Sequence, residues 1–266
     1  MKKCFAALVA LLLLFAFAGC DRNAPEPQEG VDSDLSQSSA YMNYVDSVYA
    51  INAADSFSGN ITLKTVMFIM GDPFEYKAVT GLKHIFGSGD NIEAELMGDE
   101  SVEMVSTHYR DGIFYYKGAE DKFKFYYPGE DFLKMTNSRL VTEVLFSESD
   151  IFAFEAKEHP LYTEVFFDVY QSNMQDVLRE ATAYAMTGGV EEHDDEDLQY
   201  VFDDALVYIR FDRNGKMEEI LLSIIAMFSH LDDVIETYIE LGIVIDQVGG
   251  VQIDFPDDLD SYRDLY

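Results

Sequence analysis

Between Ile61 and Tyr127 apolar and polar residues alternate with a period of two, and no stretch of crossover-helix length interrupts them. Ile61, Leu63, Thr65, Met67 and Ile69 interleave with Thr62, Lys64 and Val66, and Gly71-Asp72-Pro73 then turns the chain. Phe74, Tyr76, Ala78, Thr80 and Leu82 interleave with Glu75, Lys77 and Lys83, and Gly87-Ser88-Gly89-Asp90 turns it again. Ile92-Ala94-Leu96, Val102-Met104, the hairpin around Asp111-Gly112, and Phe123, Phe125 and Tyr127 complete six or seven short strands. Parallel neighbours need a connection of about a dozen residues or more, so the pattern predicts an antiparallel sheet.

Other segments frame this run. Tyr41, Tyr44, Val45, Val48, Tyr49 and Ile51 fall at helical spacing and predict one amphipathic helix over 39–54, capped by Ser38 or Ser39. The stretch 130–154 has mixed spacing, which suggests one or two short helices. Leu161 to Tyr170 reads as a strand, and Ser172 to Met186 as a helix stopped by Gly188-Gly189. Strands resume over 201–211, turn at Asp212-Arg213-Asn214-Gly215, and return over 217–228. A further alternation runs from Ile235 to Ile245, Val251–Phe255 reads as a final short strand, and 257–266 as a polar acidic tail. The order predicts an α+β chain with an N-terminal helix and helices inserted between two strand-rich halves.

The N-terminus fixes the compartment. Lys2 and Lys3 precede an uncharged apolar run from Cys4 to Phe17, too short for the roughly 20 residues that cross a bilayer but of the length of a secretory signal. It ends in Phe17-Ala18-Gly19-Cys20, which resembles the lipobox of bacterial lipoproteins, with Phe17 where leucine is usual. The resemblance implies a signal peptide over 1–19 and lipid on the Cys20 thiol; the plainer alternative is an ordinary signal that happens to contain a cysteine. Cys4 and Cys20 are the two cysteines, so the mature domain would have no disulfide, zinc-thiolate site or thiol nucleophile. Residues 20–40, rich in Pro, Ser, Asp and Glu, read as a tether between membrane and a single domain over 41–256.

Charge narrows the partners. Eighteen basic residues stand against 50 acidic ones, a net charge of −32 that repels phosphate backbones and speaks against nucleic acid. Loss of 1–19 removes Lys2 and Lys3 and leaves 16 basic residues against the same 50, a net −34. An anionic leaflet would repel such a domain, so lipid on Cys20 is the expected attachment to the outer face of the cytoplasmic membrane.

The lipobox, the tether, the Asp111-Gly112-Ile113-Phe114-Tyr115-Tyr116 hairpin, the Ser172–Met186 helix and the Val251-Gln252-Ile253-Asp254-Phe255-Pro256 ending together resemble the LolA/LppX-like lipoproteins. The hairpin and the ending are similar to those of uncharacterised Gram-positive lipoproteins. The resemblance covers about 40–256 and implies one curved antiparallel sheet, a half-barrel, around an apolar cavity covered by helices. It implies binding or carriage of an apolar, lipid-like ligand.

Met67 to Met70 and Leu221 to Ile225 are apolar at nearly every position, which predicts strands covered on both faces. One face would then line a pocket with Phe74, Tyr76, Phe86, Met104, Phe123 and Phe125, of which Phe74, Tyr76, Met104, Phe123 and Phe125 are the candidate ligand contacts. A filled core accounts for the same pattern, and leaves an acidic surface module with a protein or cell-wall partner as the alternative function. Motifs for chemistry are lacking: none of the five histidines has a metal-binding neighbour at the right spacing, and no nucleophile elbow or phosphate loop occurs. His84 and His108 read as partly buried structural residues. The acidic run 191–197 and the Asp212–Gly215 turn lack the spacing of a calcium loop, so no metal, cofactor or catalytic residue is expected.

Overall fold

The computed structural model describes residues 31–69, 72–86, 92–98, 106–117, 122–170, 199–202, 205–230 and 233–265. The Ser172–Met186 segment, the acidic run 191–197, Cys20 and Met104 lie outside them. The N-terminal half holds β1 (Val31–Asp32), α1 (Gln37–Ala53), β2 (Ser56–Ile69), β3 (Asp72–Ile85), β4 (Glu93–Gly98), β5 (Ser106–Arg110), β6 (Ile113–Lys117) and β7 (Lys122–Tyr126). Two short helices follow, α2 (Gly129–Met135) and α3 (Arg139–Thr142). The rest is strand: β8 (Ile151–Glu158), β9 (Tyr162–Val169), β10 (Gln199–Phe202), β11 (Ala205–Asp212), β12 (Met217–His230), β13 (Asp233–Val248) and β14 (Arg263–Asp264).

Among the described residues these strands form one unclosed sheet in the order β1-β8-β9-β11-β12-β13-β2-β3-β4-β5-β6-β7-β14, with β10 added beside β12. Neighbours from β8 through to β7 pair antiparallel, and only β14 on β7 is parallel among the pairs whose direction is described. The open, mainly antiparallel α+β half-barrel class expected from the sequence is thus the fold. Six strands lie between residues 56 and 126, and the turn at Asp111-Gly112 has both residues at positive φ, +52° and +75°, the geometry that matches strand twist in a two-residue hairpin.

Register sorts the side chains. In β2, Phe57, Ile61, Leu63 and Thr65 turn to the face that carries the helices, and Ser58, Asn60, Thr62 and Lys64 to the other. On the helix face Ile61 pairs with Ile243, Leu63 with Leu241, Ile243 with Ile220, and Ile209 with Val165, an apolar row across five strands. On the outer face the same register sets cations against carboxylates: Lys64 lies 3.5 Å from Glu240, Lys83 2.7 Å from Glu95, and Arg210 2.9 Å from Glu219.

Helix α1 starts earlier than its spacing suggests. Ser36 is the cap, its hydroxyl accepting the Ser39 N–H, because Ala40, Tyr44, Val48 and Ile51 must share the buried stripe. Residues before 41 also pair with the sheet: the Ser33 N–H donates to the Ala156 carbonyl at 3.0 Å. Tyr44 ties α1 to the segment after α3: its ring stacks on Phe146 with centroids 5.1 Å apart. Its hydroxyl accepts the Leu145 N–H at 2.9 Å and donates to the Glu143 carbonyl at 3.2 Å.

Four further expectations need correction. The stretch 130–154 ends in a strand as well as helices, because β8 begins at Ile151 and a bulge between Ile151 and Ala153 hides its alternation. The expected cover on both faces from Met67 to Met70 fails at Phe68, which is 44% exposed, and Met70 lies outside the described residues. Val251–Phe255 is not a strand: it crosses the outer face, with the Arg110 guanidinium 3.4 Å over the Phe255 ring and His108 5.3 Å from it. The segment after 257 is not a free tail: Tyr262 is buried against Tyr115, Lys122 pairs with Asp258, and β14 adds to the β7 edge.

Gly59 marks the tightest approach in the sheet. A Cβ there would lie 2.2 Å from the Val244 carbonyl oxygen, beside the bulge at Ile245–Gln247. Gly59→Ala should cost about 2–3 kcal/mol by displacing backbone rather than a side chain. Urea unfolding checks this, and an unchanged midpoint would contradict the pairing described here.

Candidate functional site

The helix face differs between the two ends of the sheet. On β9, β11, β12 and β13 it is sealed: Val165, Phe167, Val207, Ile209, Ile220, Ile239 and Ile243 have no exposed surface. Tyr44, Val48, Ile51 and Phe146 cover that half. From β3 to β7 the face is only partly covered. Ala78, Thr80, Leu96, Phe114, Tyr116, Phe123 and Phe125 all keep part of their surface in solvent, and Phe74 is 55% exposed.

The aromatic end of this strip is built by two short strands. The sequences Ile113-Phe114-Tyr115-Tyr116-Lys117 and Lys122-Phe123-Lys124-Phe125-Tyr126 pair so that Phe114 faces Phe125 and Tyr116 faces Phe123. Tyr116 and Phe123 stack at 4.5 Å, Phe114 and Phe125 lie 5.1 Å apart, and Tyr127 closes on Phe125 at 6.0 Å. Lysines 117, 122 and 124 take the alternate positions and so leave the ring face uncharged. Toward the middle of the sheet α2 caps the strip: Phe132 stacks on Tyr109 at 4.2 Å, and the Tyr109 hydroxyl donates to the Tyr127 carbonyl at 2.9 Å.

Of the five residues expected to contact a ligand, Phe74, Phe123 and Phe125 have described side chains on the helix face. Tyr76 shares their face by register, opposite Thr65, and Met104 is outside the described residues. They are not on neighbouring strands: β4, β5 and β6 separate Phe74 from Phe123 and Phe125. Phe86, grouped with them in the sequence, instead packs edge-on to His84 at 4.7 Å and beside Phe57 at 5.7 Å. Phe114, Tyr116 and Leu96 belong to the strip and were missed. Alternation marks them as inward only once the pairing with β5 and β7 is known.

His84 lies between the sealed and the partly covered halves. It is fully buried, not partly, with Phe57, Phe86 and Phe132 around it, and neither ring nitrogen has a hydrogen-bond partner. Burial pushes its pKa down to about 4, so the ring is neutral at pH 7. His108 is also fully buried, on the outer face, where burial lowers its pKa although Glu95 lies 3.8 Å away. His159 pairs with Glu164 at 2.9 Å on the outer side and stacks on Tyr162. Among the described residues no group of three or more His, Cys, Asp or Glu could hold a metal ion, and no helix is long and apolar enough to cross a membrane. The Asp212 carboxylate is used by its own hairpin turn, accepting the N–H groups of Asn214 and Lys216 at 2.7 and 2.9 Å.

No protein-family model matches the chain, and no curated protein matches it by sequence. Solved structures similar to it include LprF from Mycobacterium bovis, at 11% identity and a TM-score of 0.43, covering 86% of this chain and 99% of that one. They also include a LolA superfamily protein from Nitrosomonas europaea, at 8% identity and a TM-score of 0.27, covering 85% of this chain and 97% of that one. A third is an outer membrane lipoprotein-sorting protein domain from Vibrio parahaemolyticus, at 10% identity and a TM-score of 0.21, covering 82% of this chain and 97% of that one. These are of the LolA/LppX-like kind that the sequence resembles; a particular closeness to Gram-positive lipoproteins does not follow from them. At such scores the fold rests on the strand pairing itself, and no activity passes from those proteins to this chain.

His84 gives a test of the buried aromatic box. A histidine held neutral in the native state but free to protonate near pH 6.5 when unfolded destabilises the fold as pH falls through that value toward 4. Between pH 7 and pH 5 the parent should lose about 2 kcal/mol more stability than His84→Leu. Urea unfolding of both at the two pH values measures this, and equal losses would contradict a neutral, unpartnered His84.

Proposed function

We propose that the chain is a membrane-anchored, extracytoplasmic lipoprotein that binds or carries an apolar ligand on the helix face of β3 to β7, without catalysing a reaction. One observation carries the reading: among the described residues the same sheet face is buried at its centre, from Val165 and Phe167 through Val207, Ile209 and Ile220 to Ile239 and Ile243, and only partly covered over β3 to β7. A domain of this size gains by burying apolar surface wherever it can, so an uncovered apolar strip of more than isolated residues points to something that covers it in use. The rings of Phe114, Tyr116, Phe123 and Phe125 offer broad contact area to hydrocarbon. Phe74, Tyr76 and Met104 extend the proposed contact set.

The anchor follows from the first twenty residues. Lipid on Cys20 would hold a domain that its own net charge keeps off an anionic leaflet, and the segment before Ser33 would give it reach. One acyl chain binds a membrane only marginally, so two or more chains on Cys20 are expected. Cys20→Ala should abolish incorporation of labelled fatty acid; labelled, membrane-bound Cys20→Ala protein would contradict the assignment.

The ligand face is tested by pairing two truncations. Phe167→Ala, in the sealed half, should cost about 3–5 kcal/mol because it leaves a void among packed side chains. Phe125→Ala removes a ring that already keeps part of its surface free, so it should cost less than half as much. It should instead weaken binding of Nile red, an uncharged apolar dye. Equal destabilisation by the two changes, with no dye bound by the parent, would sink the reading and favour an acidic interaction module with a filled core.

A further inference from the structure

Resting on the anchor proposed above, we infer that the exposed side of α1, together with the hairpin turn beside it, is the surface on which the tethered domain lies against the bilayer. Helix α1 spans 17 residues and holds one charged side chain, Asp46. The chain as a whole is 26% charged, which would put about four on a helix of that length. A helix that packs one face on a core normally gives its opposite face to charged residues. Here that face carries Met42, 51% exposed, and Tyr49, 63% exposed, seven residues apart and so on one stripe.

Cations stand next to this stripe. The turn between β11 and β12 closes on α1: a Cβ on Gly215 would lie 3.4 Å from the Asn43 side chain, and the Met217 N–H donates to the Ser47 hydroxyl at 3.1 Å. That turn carries Arg213 and Lys216, both exposed. Lys64, Lys83, Arg110, Lys122 and Arg210 are taken up in ion pairs of the outer face, whereas no ion pair holds Arg213 or Lys216 among the described residues. Acids that border the patch are engaged: Glu143 with Arg139 at 2.9 Å, Glu148 with the Ser38 hydroxyl, and Asp212 with the N–H groups of its own turn.

A nearly uncharged stripe with a methionine and a tyrosine, and two cations at its side, has the chemistry that a lipid surface takes. Apolar atoms and an aromatic ring seat at the head-group boundary, and cations are drawn to anionic lipid. The outer face offers the reverse: Glu75 has 61% of its side chain exposed and Asp258 50%, in a chain of net charge −32. An anionic leaflet repels such a face. The length of the chain agrees. Ser33 is bonded to β8 and follows Cys20 by 13 residues, at most about 47 Å of extended chain, so lipid on Cys20 would keep the start of α1 within reach of the leaflet. Since α1 packs on the helix face, a domain lying on it turns that face, and not the ion-paired outer face, to the membrane.

Single thiol labels test this, because a chain with its signal removed and lipid on Cys20 has no other cysteine. Lipidated Tyr49→Cys and Glu75→Cys proteins, each carrying a nitrobenzoxadiazole dye, are placed in vesicles of phosphatidylcholine and phosphatidylglycerol with nitroxide on a fraction of the head groups. The nitroxide should quench the dye of Tyr49→Cys at least about threefold more than that of Glu75→Cys. Arg213→Glu with Lys216→Glu, on an exposed turn, should leave the fold intact and cut the quenching at Tyr49→Cys by about threefold or more. Equal or stronger quenching at Glu75→Cys, or quenching at Tyr49→Cys untouched by the charge reversal, overturns the inference and leaves the anchor intact. Shielding of the Tyr49→Cys dye from soluble iodide that persists in detergent assigns the stripe to a second copy of the chain, and also overturns it. Protein that fails to float with the vesicles overturns both the inference and the anchor.

Discussion

A slip of one residue in β2 would turn Leu63 to solvent and drive Lys64 into the packed interior, so the register of this strand is the constraint on which the rest of the sheet depends. β2 is 14 residues long and is paired along its length on both sides, to β13 and to β3. Those two pairings carry the alternation outward in both directions. Every later division of the molecule inherits it: the sealed apolar row Leu241, Leu222 and Val207 on one side, and the ring-bearing positions of β6 and β7 on the other. Cross-strand ion pairs on the outer face add a second penalty for a slip, since Lys64 and Lys83 would lose Glu240 and Glu95 together.

The division of the helix face into a sealed and a partly covered part has a structural cause. Helix α1 with Phe146 lies over the strands from β9 to β2, where long aliphatic side chains interlock. Among the described residues the cover over β3 to β7 is the seven-residue α2, reaching the sheet through Phe132. A short helix cannot bury a five-strand surface. Nor does the C-terminal segment help, because Phe255 and Tyr262 lie on the outer face, against Arg110 and Tyr115. That segment protects the β7 edge with a two-residue parallel strand instead, which blunts a sheet end that would otherwise be open to pairing. Among the described residues the C-terminal length goes to the outer face and the edge, and the ring-lined part of the helix face keeps only partial cover.

How much of this could be read from the sequence depends on how local each signal is. Alternation in β2, β3 and β13, the Asp111-Gly112 hairpin and the apolar stripe of α1 are properties of neighbouring residues, and they were legible. Strand β8 was not, because its bulge throws Phe152 outward, 43% exposed, and breaks the period. The course of 251–265 was not, because Phe255 finds Arg110, 145 positions earlier in the chain, through a contact that no local pattern announces. Inward-facing aromatics of β3 and β7 could be named singly, but their separation by three strands is a matter of sheet order. Phe114 and Tyr116 needed the pairing of two short strands to be assigned a side.

Hydrogen exchange of the full-length chain, with and without saturating Nile red, tests the central claim most directly. The helix face of β3 to β7 is held to be the surface that an apolar molecule covers, and the opposite half to be complete without it. Slower amide exchange confined to β3 to β7 and α2, with β9 and β11 to β13 unchanged, is the result this account requires. Protection appearing in β9 and β11 to β13 instead, or no protection anywhere at saturation, would contradict it.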